Sequence, residues 1–376
     1  MKRPDYFEYF APGRVNLIGE HIDYNGGKVL PFAVDKGTYL SVRKNGSNYH
    51  IFATDNFEPT EVRVEENNIT YCKEALWPNY VLGIIAEFEK RGTHIPGCDF
   101  FFSGNLPTGA GLSSSASVEL VTAYALNDIM QTNYSLVDLS LFGKSCENNF
   151  VKLNCGIMDQ LAVALSKKDK AVLLDCNTYA HEYVNFSLKD HSVVVINTNK
   201  PRNLIESAYN ERFSQCMQVL NTIKKVKDIQ TLCDLTTEEI EEYKTLINDD
   251  ILYKRLRHVV GENERVHQTV CALNKNDLLT VGTLLTKSHE SLKNDYEVTG
   301  IELDTIVETA IETEGVIGAR MTGAGFGGCA IAIVENDKIE EFKNKIYQRY
   351  NMVTKLTPDF YIVSSEDGVR KNIVKK

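Results

Sequence analysis

Four side chains suited to polar chemistry lie within ten positions near the start of the chain. The stretch "APGRVNLIGEHIDYNGG", residues 11–27, contains Arg14, Glu20, His21 and Asp23. Carboxylates can accept hydrogen bonds from sugar hydroxyls, a histidine can donate or accept one, and an arginine can neutralise a phosphoryl group during transfer. The aliphatic residues between them indicate that the segment enters a core, whereas a surface loop of mixed charge, the alternative, needs no such setting.

A glycine- and serine-rich loop, "PTGAGLSSSAS" at residues 107–117, follows a strand-like run and precedes a helix-like one. Glycines permit tight turns, so that successive N–H groups and the helix N-terminus can point at one anion. The loop lacks the Gly-Lys-Ser/Thr ending of a Walker A loop and the G-x-G-x-x-G dinucleotide pattern. It predicts a phosphate site, and the alternative is an ordinary loop with a serine helix cap.

A second glycine-rich segment, "MTGAGFGGCAIAIV" at residues 321–334, stands at the head of an apolar strand. Small residues let the backbone approach a neighbour closely, and a hairpin or a bulge is the alternative interpretation. Two such loops in one acidic chain favour an enzyme that acts on a nucleotide.

Two carboxylates, Glu147 and Asp159, lie twelve residues apart in "CENNFVKLNCGIMDQLA". The aspartate follows a glycine and apolar residues, where it could serve as a general base. The glutamate could hold a hard divalent cation together with hydroxyl and phosphate oxygens. The alternative is an aspartate that caps a helix and a glutamate that is solvated.

The elements that must position these groups change in character along the chain. Strand-like and helix-like patterns alternate at first, long charged amphipathic helices occupy residues 203–294, and mixed elements follow, with one strand expected over "GARMTGAGFGGCAIAIV". We expect a linker near residues 178–200. The pattern predicts an α+β enzyme of two domains, residues 1–190 and 191–376, with its site between them.

Composition limits the classes of partner. Lysine and arginine total 41 against 51 aspartates and glutamates, and the resulting net charge of −10 argues against broad binding of nucleic acid or anionic membranes. Neither a signal peptide nor an apolar run of about 18 residues is evident, so we expect no membrane span. Nine scattered cysteines without a C-x-x-C pair are typical of reduced thiols and indicate a cytoplasmic protein.

Together these segments resemble the GHMP small-molecule kinases, and within them the galactokinase family. "GRVNLIGEHIDYNGG" is similar to the sugar signature of that family, "PTGAGLSSSAS" to its phosphate loop and "MTGAGFGGCAIAIV" to its third motif, and "CGIMDQ", "SAYNERFSQC" and "RHVVGENERV" are also galactokinase-like. The resemblance runs from about residue 8 to residue 365. It implies an N-terminal domain like the second domain of ribosomal protein S5 and a ferredoxin-like C-terminal domain, with ATP and sugar meeting in the cleft between them.

The resemblance also implies roles for individual residues. Asp159 matches the catalytic base, and Arg14 matches the residue that stabilises charge in the transition state. The other matches are a sugar site of Glu20, His21, Ile22, Asp23, Gly156 and Tyr209; a triphosphate loop of Gly109, Ala110, Gly111, Leu112, Ser113, Ser114 and Ser115; magnesium ligands Ser115 and Glu147; and Trp77 and Tyr80 beside the adenine. The alternative for Trp77 and Tyr80 is a core pair at the start of a helix.

The activity that the resemblance implies is transfer of the γ-phosphoryl group of ATP to the anomeric hydroxyl of D-galactose. It implies bound ATP and Mg²⁺, and we expect a monomer without nucleic-acid or membrane partners. Ile22, where galactokinases usually have threonine, and the following "VLPFAV" are similar to N-acetylgalactosamine kinases, whereas "CGIMDQ" and Tyr209 follow the galactokinase pattern. Another sugar-1-kinase is thus one alternative. A non-catalytic galactose sensor, which would lack part of the phosphate loop, and a mevalonate or homoserine kinase, which would lack "GEHxDY", are two more.

Overall fold

The computed structural model describes residues 6–107, 111–153, 155–201 and 205–372, and these form three sheets with helices packed on them. The strands are β1 (Phe7–Asn16), β2 (Lys28–Val29), β3 (Pro31–Lys44), β4 (Tyr49–Thr54), β5 (Glu61–Glu65), β6 (Cys98–Gly104), β7 (Lys170–Asp175), β8 (His181–Asn185), β9 (His191–Asn197), β10 (Val316–Thr322), β11 (Cys329–Glu335), β12 (Asp359–Val363) and β13 (Arg370–Lys371). The α-helices are α1 (Pro78–Lys90), α2 (Ser114–Met130), α3 (Leu136–Ser145), α4 (Met158–Leu165), α5 (Ile205–Ile223), α6 (Lys244–Ile247), α7 (Asp250–Asn274), α8 (Leu278–Ser291), α9 (Ile301–Ile311) and α10 (Ile339–Thr354).

The N-terminal half is built on a six-stranded sheet with the order β13-β1-β3-β6-β4-β5. Its neighbouring strands are antiparallel except for the parallel pair β4 and β6. Helix α2 packs on β1 and β3 and also contacts α1, α3 and α4, so the helices cover one apolar face of the sheet. A small sheet of order β2-β7-β8 lies alongside, because β7 contacts β3.

The C-terminal half contains an antiparallel sheet of order β10-β11-β9-β12. Its chain order, a strand, helices, two strands, a helix and a last strand, is the split βαβ arrangement of ferredoxin-like folds. The predicted α+β class and the ferredoxin-like C-terminal part are therefore confirmed. Apolar side chains from the sheets and from the helices on them form one buried cluster.

Two of the described helices end in a short π-helical turn. Residues Cys146–Val151 follow α3, and residues Leu292–Tyr296 follow α8. Such turns widen the helix by one residue and often occur at functional sites. Within the described ranges, no helix combines the length and the apolar character needed to cross a bilayer.

The structure differs from the sequence-based expectation in two places. The expected linker near residues 178–200 is wrong, because that segment contains β8 and β9. The single strand expected over residues 318–334 is instead a hairpin, in which β10 and β11 flank a glycine-rich turn at residues 323–328. The end of the chain returns to the N-terminal sheet, where β13 pairs with β1, and the domain boundary near residue 190 stays a prediction.

Candidate active site

Two adjoining cavities bring the predicted residues together. A cavity of 520 Å³ is lined by the following residues of the predicted site: Arg14, Glu20, His21, Asp23, Tyr80, Ser115, Glu147, Gly156, Asp159 and Tyr209. A second cavity, of 270 Å³, lies between the two glycine-rich loops and is lined by Gly111, Leu112, Ser113, Ser114 and residues of the β10–β11 turn. Arg14, Ser115 and Asp159 line both cavities. They therefore mark the point where a ligand bound in the first cavity and a ligand bound in the second would meet.

Arg14 and Asp159 form a two-pronged ion pair at this junction. Nε and Nη2 of Arg14 donate to the two carboxylate oxygens of Asp159, and both bonds are 2.8 Å long. Nη1 of Arg14 donates to the carbonyl of Gly111 at 2.7 Å. β1 changes register against β3 between Pro12 and Arg14, and such bulges re-aim a side chain. Arg14 is only 6% exposed, whereas 31% of the Asp159 side chain is exposed. The carboxylate can therefore accept a proton from a ligand while the arginine holds it in place.

Ser113 contributes a third contact to this pair. Its hydroxyl donates to Oδ2 of Asp159 at 2.5 Å. Its backbone is left-handed, with φ of 59°, and its side chain makes no capping bond to helix α2, which begins at the next residue. The interpretation of this serine as an ordinary helix cap is therefore wrong.

Glu147 lies in the first π-helical turn and faces Ser115 at the start of α2. It is 8% exposed, so it is not the solvated glutamate of the alternative interpretation. Burial raises the pKa of Glu147, and the hydroxyl of Ser115 counteracts part of that rise by hydrogen bonding to the carboxylate. Within the described ranges, no group of three or more His, Cys, Asp or Glu side chains could hold a metal ion. Mg²⁺ commonly takes one or two protein carboxylates and completes its shell with water and phosphate, and Glu147 with Ser115 fits that donor set.

Glu20 is held by three hydrogen bonds and one ion pair. Thr322 Oγ1 and the N–H of Gly323 donate to Oε1 at 3.0 and 2.8 Å, and Asn16 Nδ2 donates to Oε2 at 2.5 Å. Nη2 of Arg320 lies 2.7 Å from Oε2 in a fully buried ion pair. Burial raises the pKa of Glu20, while Arg320 and the Gly323 N–H lower it. Glu20 thus joins the sugar-signature segment to the β10–β11 turn.

His21 makes a second connection to the same turn. Its Nδ1 lies 2.8 Å from the hydroxyl of Tyr24, and its Nε2 lies 3.1 Å from the carbonyl oxygen of Ala324. Burial lowers the pKa of His21 to about 3, so the ring is neutral at physiological pH. The imidazole can donate from one nitrogen and accept at the other.

Asp23 faces the cavity beside Gly156 and Tyr209. Burial raises the pKa of Asp23 to about 6, and the negative charge of Asp159 adds to the rise. A Cβ atom at Gly156 would overlap Oδ2 of Asp23, so only glycine leaves room for the carboxylate in this position. Tyr209, from α5, has its ring centroid 5.7 Å from that of His21. Three predicted sugar contacts therefore surround one space.

The remaining predicted residues lie elsewhere. Ile22 is fully buried, packs against the backbone of Gly27 and does not line either cavity. Trp77 also lines neither cavity, and its Nε1 donates to the carbonyl of Pro59 at 3.2 Å. Tyr80, its predicted partner beside the adenine, does line the larger of the two cavities. Gly109 and Ala110 of the predicted phosphate loop lie outside the described residues.

Sequence reasoning missed three buried residues that fasten the sugar-signature segment. Arg320 is fully buried and its Nη1 donates to the carbonyl of Leu17 at 2.9 Å. Helix α7 adds His258, whose Nε2 donates to the carbonyl of Glu20 at 3.1 Å, and Glu262, which accepts from the N–H of Gly19 at 3.0 Å. The available signal for Arg320 was a single charged residue in the otherwise apolar strand before "MTGAG". A charged side chain is seldom buried without a partner, so this position indicated a buried carboxylate nearby.

Comparisons with known proteins cover nearly the whole chain. Family sequence models match at residues 1–44 (galactokinase galactose-binding signature), 79–167 (GHMP kinases N terminal domain) and 270–351 (GHMP kinases C terminal). Galactokinases of Clostridium beijerinckii and Clostridium acetobutylicum are 48% and 46% identical to the chain over 365 residues, which is 96% of this chain and 94% of each relative. The crystal structure of Lactococcus lactis galactokinase complexed with galactose matches with a TM-score of 0.94 at 41% identity, over 98% of this chain and 96% of that one.

More distant structures share the fold alone. Methanococcus jannaschii mevalonate kinase matches with a TM-score of 0.65 at 18% identity, over 97% of this chain and 100% of that one. The chain belongs to the galactokinase family of the GHMP kinases.

Proposed function

We propose that the protein is a galactokinase, an ATP-dependent enzyme that transfers the γ-phosphoryl group of ATP to the anomeric hydroxyl of D-galactose and yields galactose 1-phosphate and ADP. The observation that carries the proposal is the position of Arg14 and Asp159, which line both the cavity of the sugar signature and the cavity between the glycine-rich loops. A hydroxyl bound in the first cavity and a phosphate bound in the second would meet at this pair.

The chemistry of the step follows from these contacts. Asp159 accepts the proton of the anomeric hydroxyl while the oxygen of that hydroxyl attacks the γ-phosphorus of ATP. The bond from this phosphorus to the ADP oxygen breaks. Arg14 holds the carboxylate by two hydrogen bonds and places positive charge next to the phosphoryl group in transfer. Ser113 donates to the same carboxylate, so its orientation is fixed before the substrate binds.

Membership of a kinase family implies ATP as the phosphoryl donor. Ser115 and Glu147 would hold Mg²⁺, which when bound neutralises charge on the phosphate oxygens. Burial already raises the pKa of Glu147, and a cation at this position would favour its ionised form. A monomeric state and a cytoplasmic location stay predictions.

Galactose is favoured over N-acetylgalactosamine as the sugar. The residue that suggested the acetylamino sugar, Ile22, is buried in the core and does not line the cavity. Relatives that are 46–48% identical over 96% of the chain are galactokinases, and the similar Lactococcus lactis enzyme has galactose bound.

A substrate panel tests the sugar. Galactose, N-acetylgalactosamine, arabinose and glucose are compared with ATP and Mg²⁺ in a coupled assay of ADP release, and kcat/KM is expected to be highest for galactose. A higher value for another sugar would leave the kinase class intact and refute the substrate. Binding of galactose without any ADP release would instead indicate a sensor.

The variant Asp159→Asn tests the base. It should still bind galactose in calorimetry but lose about a hundredfold or more in kcat, the usual scale for a positioned general base. Asp228→Asn, at an exposed position far along the chain, is the matched control and should keep full turnover. Turnover near that of the unmodified enzyme in Asp159→Asn would refute the assignment.

A further inference from the structure

A row of hydrogen-bonded side chains runs from helix α5 to the β10–β11 turn. Cys216 Sγ lies 3.1 Å from the hydroxyl of Tyr296, which lies 2.8 Å from the hydroxyl of Tyr24. That hydroxyl lies 2.8 Å from Nδ1 of His21, whose Nε2 lies 3.1 Å from the carbonyl oxygen of Ala324. The row is not needed for the transfer step described above, and it ends at a backbone atom that borders both cavities.

The carbonyl at one end fixes the direction of every bond in the row. A carbonyl oxygen only accepts, so Nε2 of His21 carries the proton, and Nδ1 of the neutral ring is an acceptor. The hydroxyl of Tyr24 must therefore donate to Nδ1 and accept from Tyr296. Tyr296 has then used its single proton and accepts from the thiol of Cys216.

The surroundings hold both ends of the row in place. Tyr296 is the last residue of the second π-helical turn, and its carbonyl accepts from Nε of Arg212 at 2.7 Å. His21 has a left-handed backbone, with φ of 63°, which is uncommon for a residue with a side chain. Its carbonyl accepts from the buried side chain of Asn25 at 2.8 Å. Such a conformation persists where several contacts impose it.

We propose that Tyr24 is a positioning residue whose hydroxyl holds the Nε2–H tautomer of His21 in the orientation that ties the sugar-signature turn to Ala324 in the β10–β11 turn. The proposal rests on the proposed function, since it assigns Tyr24 a task in binding galactose and ATP. Gly323 and Ala324 border both the sugar cavity and the cavity between the glycine-rich loops. A shift of this turn would therefore disturb both substrates.

The variant Tyr24→Phe removes the donor and little else. Nδ1 of His21 would then be a buried acceptor without a partner, and the ring would lose the bond that holds its orientation. With the ring free to turn, the bond from Nε2–H to the carbonyl of Ala324 would weaken. Tyr296→Phe is the informative neighbour, because Tyr24 keeps its own proton in that variant and still donates to His21.

Histidine tautomers can be measured directly. The protein is labelled with ¹⁵N-histidine, long-range ¹H–¹⁵N spectra are recorded at pH 7.5, and the signals of His21 are identified by their loss in His21→Gln. We expect the Nε2–H pattern in all three proteins, with the Nδ1 signal of His21 unchanged in Tyr296→Phe and shifted in Tyr24→Phe, where Nδ1 loses its hydrogen-bond donor. An imidazolium or an Nδ1–H ring in the unmodified enzyme would overturn the proposal without any variant having to fold.

Kinetics supply the second readout. In Tyr24→Phe, the KM values for galactose and ATP should each rise about tenfold, the scale of a buried acceptor left unpaired, while kcat at saturation stays within about threefold. Tyr9→Phe is the matched control, because it removes a tyrosine hydroxyl that donates to Asp128 at 2.6 Å outside both cavities. Its KM values should not change.

A purely structural effect of the Tyr24 hydroxyl would give a different result. It would reduce the amount of active enzyme, which lowers kcat and leaves both KM values unchanged, and that outcome overturns the proposal. So does an unchanged Nδ1 signal of His21 in Tyr24→Phe. If the unmodified enzyme does not phosphorylate galactose, the proposed function fails, whereas the tautomer measurement still stands by itself.

Discussion

The variant Gly156→Ala isolates the contribution of one carboxylate to sugar binding. Gly156 does not have a positive φ, so alanine can adopt its backbone conformation without strain. The added Cβ would nevertheless lie well inside the 3.0 Å that real Cβ atoms keep from their neighbours, and the atom it would meet is Oδ2 of Asp23. The effect of the variant is therefore steric and confined to the contact between these two residues.

The size of the effect follows from that overlap. To restore an ordinary contact, the carboxylate of Asp23 or the segment around residue 156 must move by about 1 Å. A displacement of that size in a group that positions a substrate can cost about a hundredfold in rate. The kcat/KM for galactose should therefore fall by up to about a hundredfold, with weaker binding of galactose as part of that loss. The KM for ATP should change little, because neither residue borders the cavity between the glycine-rich loops.

Calorimetric titration with galactose and steady-state kinetics with each substrate measure this separation. Gly261→Ala is the control: its φ is also not positive, and its added Cβ would meet only the far end of the Arg265 side chain, at 3.1 Å. We expect the control to keep its galactose affinity. An affinity within twofold of the unmodified enzyme in Gly156→Ala would refute the placement of Asp23 against the sugar, and an equal rise of both KM values would show a wider distortion.

Two further predictions concern buried charge. Burial, with a smaller contribution from the charge of Asp159, raises the pKa of Asp23 in the folded protein from 3.8 to about 6. The folded protein therefore binds the Asp23 proton more tightly than the unfolded chain does, and the stability that this adds is lost as the pH rises through that interval. Asp23→Asn should therefore melt at a higher temperature than the unmodified protein at pH 7.5, show little gain at pH 4 and bind galactose more weakly; a lower melting temperature at pH 7.5 would contradict the argument. Arg320→Met leaves Glu20 buried without its cation and should cost about 3–5 kcal/mol in urea unfolding, with partial recovery when Glu20→Gln is added. A cost below about 1 kcal/mol, or no recovery, would show that Arg320 does not balance that charge.

The elements with strong patterns could be predicted from the sequence, and the weak ones could not. The buried strand β9 is a continuous apolar run, and the long helices have clear periodicity. Strand β8 was missed because only Val184 among its residues is buried, so its sequence carries no alternation that distinguishes it from a linker. The sequence predicts one strand over the β10–β11 hairpin because both arms are mostly apolar. The sign of a turn is the glycine cluster, in which Gly323, Gly325 and Gly327 have positive φ values.

The chemical groups of the site could be named from the sequence, but not their pairing. Arg14 and Asp159 are 145 positions apart, and their bond depends on the bulge in β1 and on the start of α4. Ser113 was assigned to the phosphate loop, and nothing in its local sequence indicates that its hydroxyl points back to Asp159. Such contacts arise from the tertiary fold, and spacing along one segment carries no information about them.

The four consecutive residues from Glu20 to Asp23 show why a motif alone does not separate two tasks. The chain leaves its strand here and enters a short 3-10 turn at Asp23–Asn25, so successive side chains diverge without a helical or a strand period. Glu20 and His21 use their polar atoms on the β10–β11 turn, Ile22 enters the core, and Asp23 faces the cavity. The same short segment that contributes a carboxylate to the 520 Å³ cavity thus also fastens the turn that borders the cavity between the glycine-rich loops. Loss of Glu20 or His21 should therefore affect the binding of both substrates, whereas loss of Asp23 should affect the sugar.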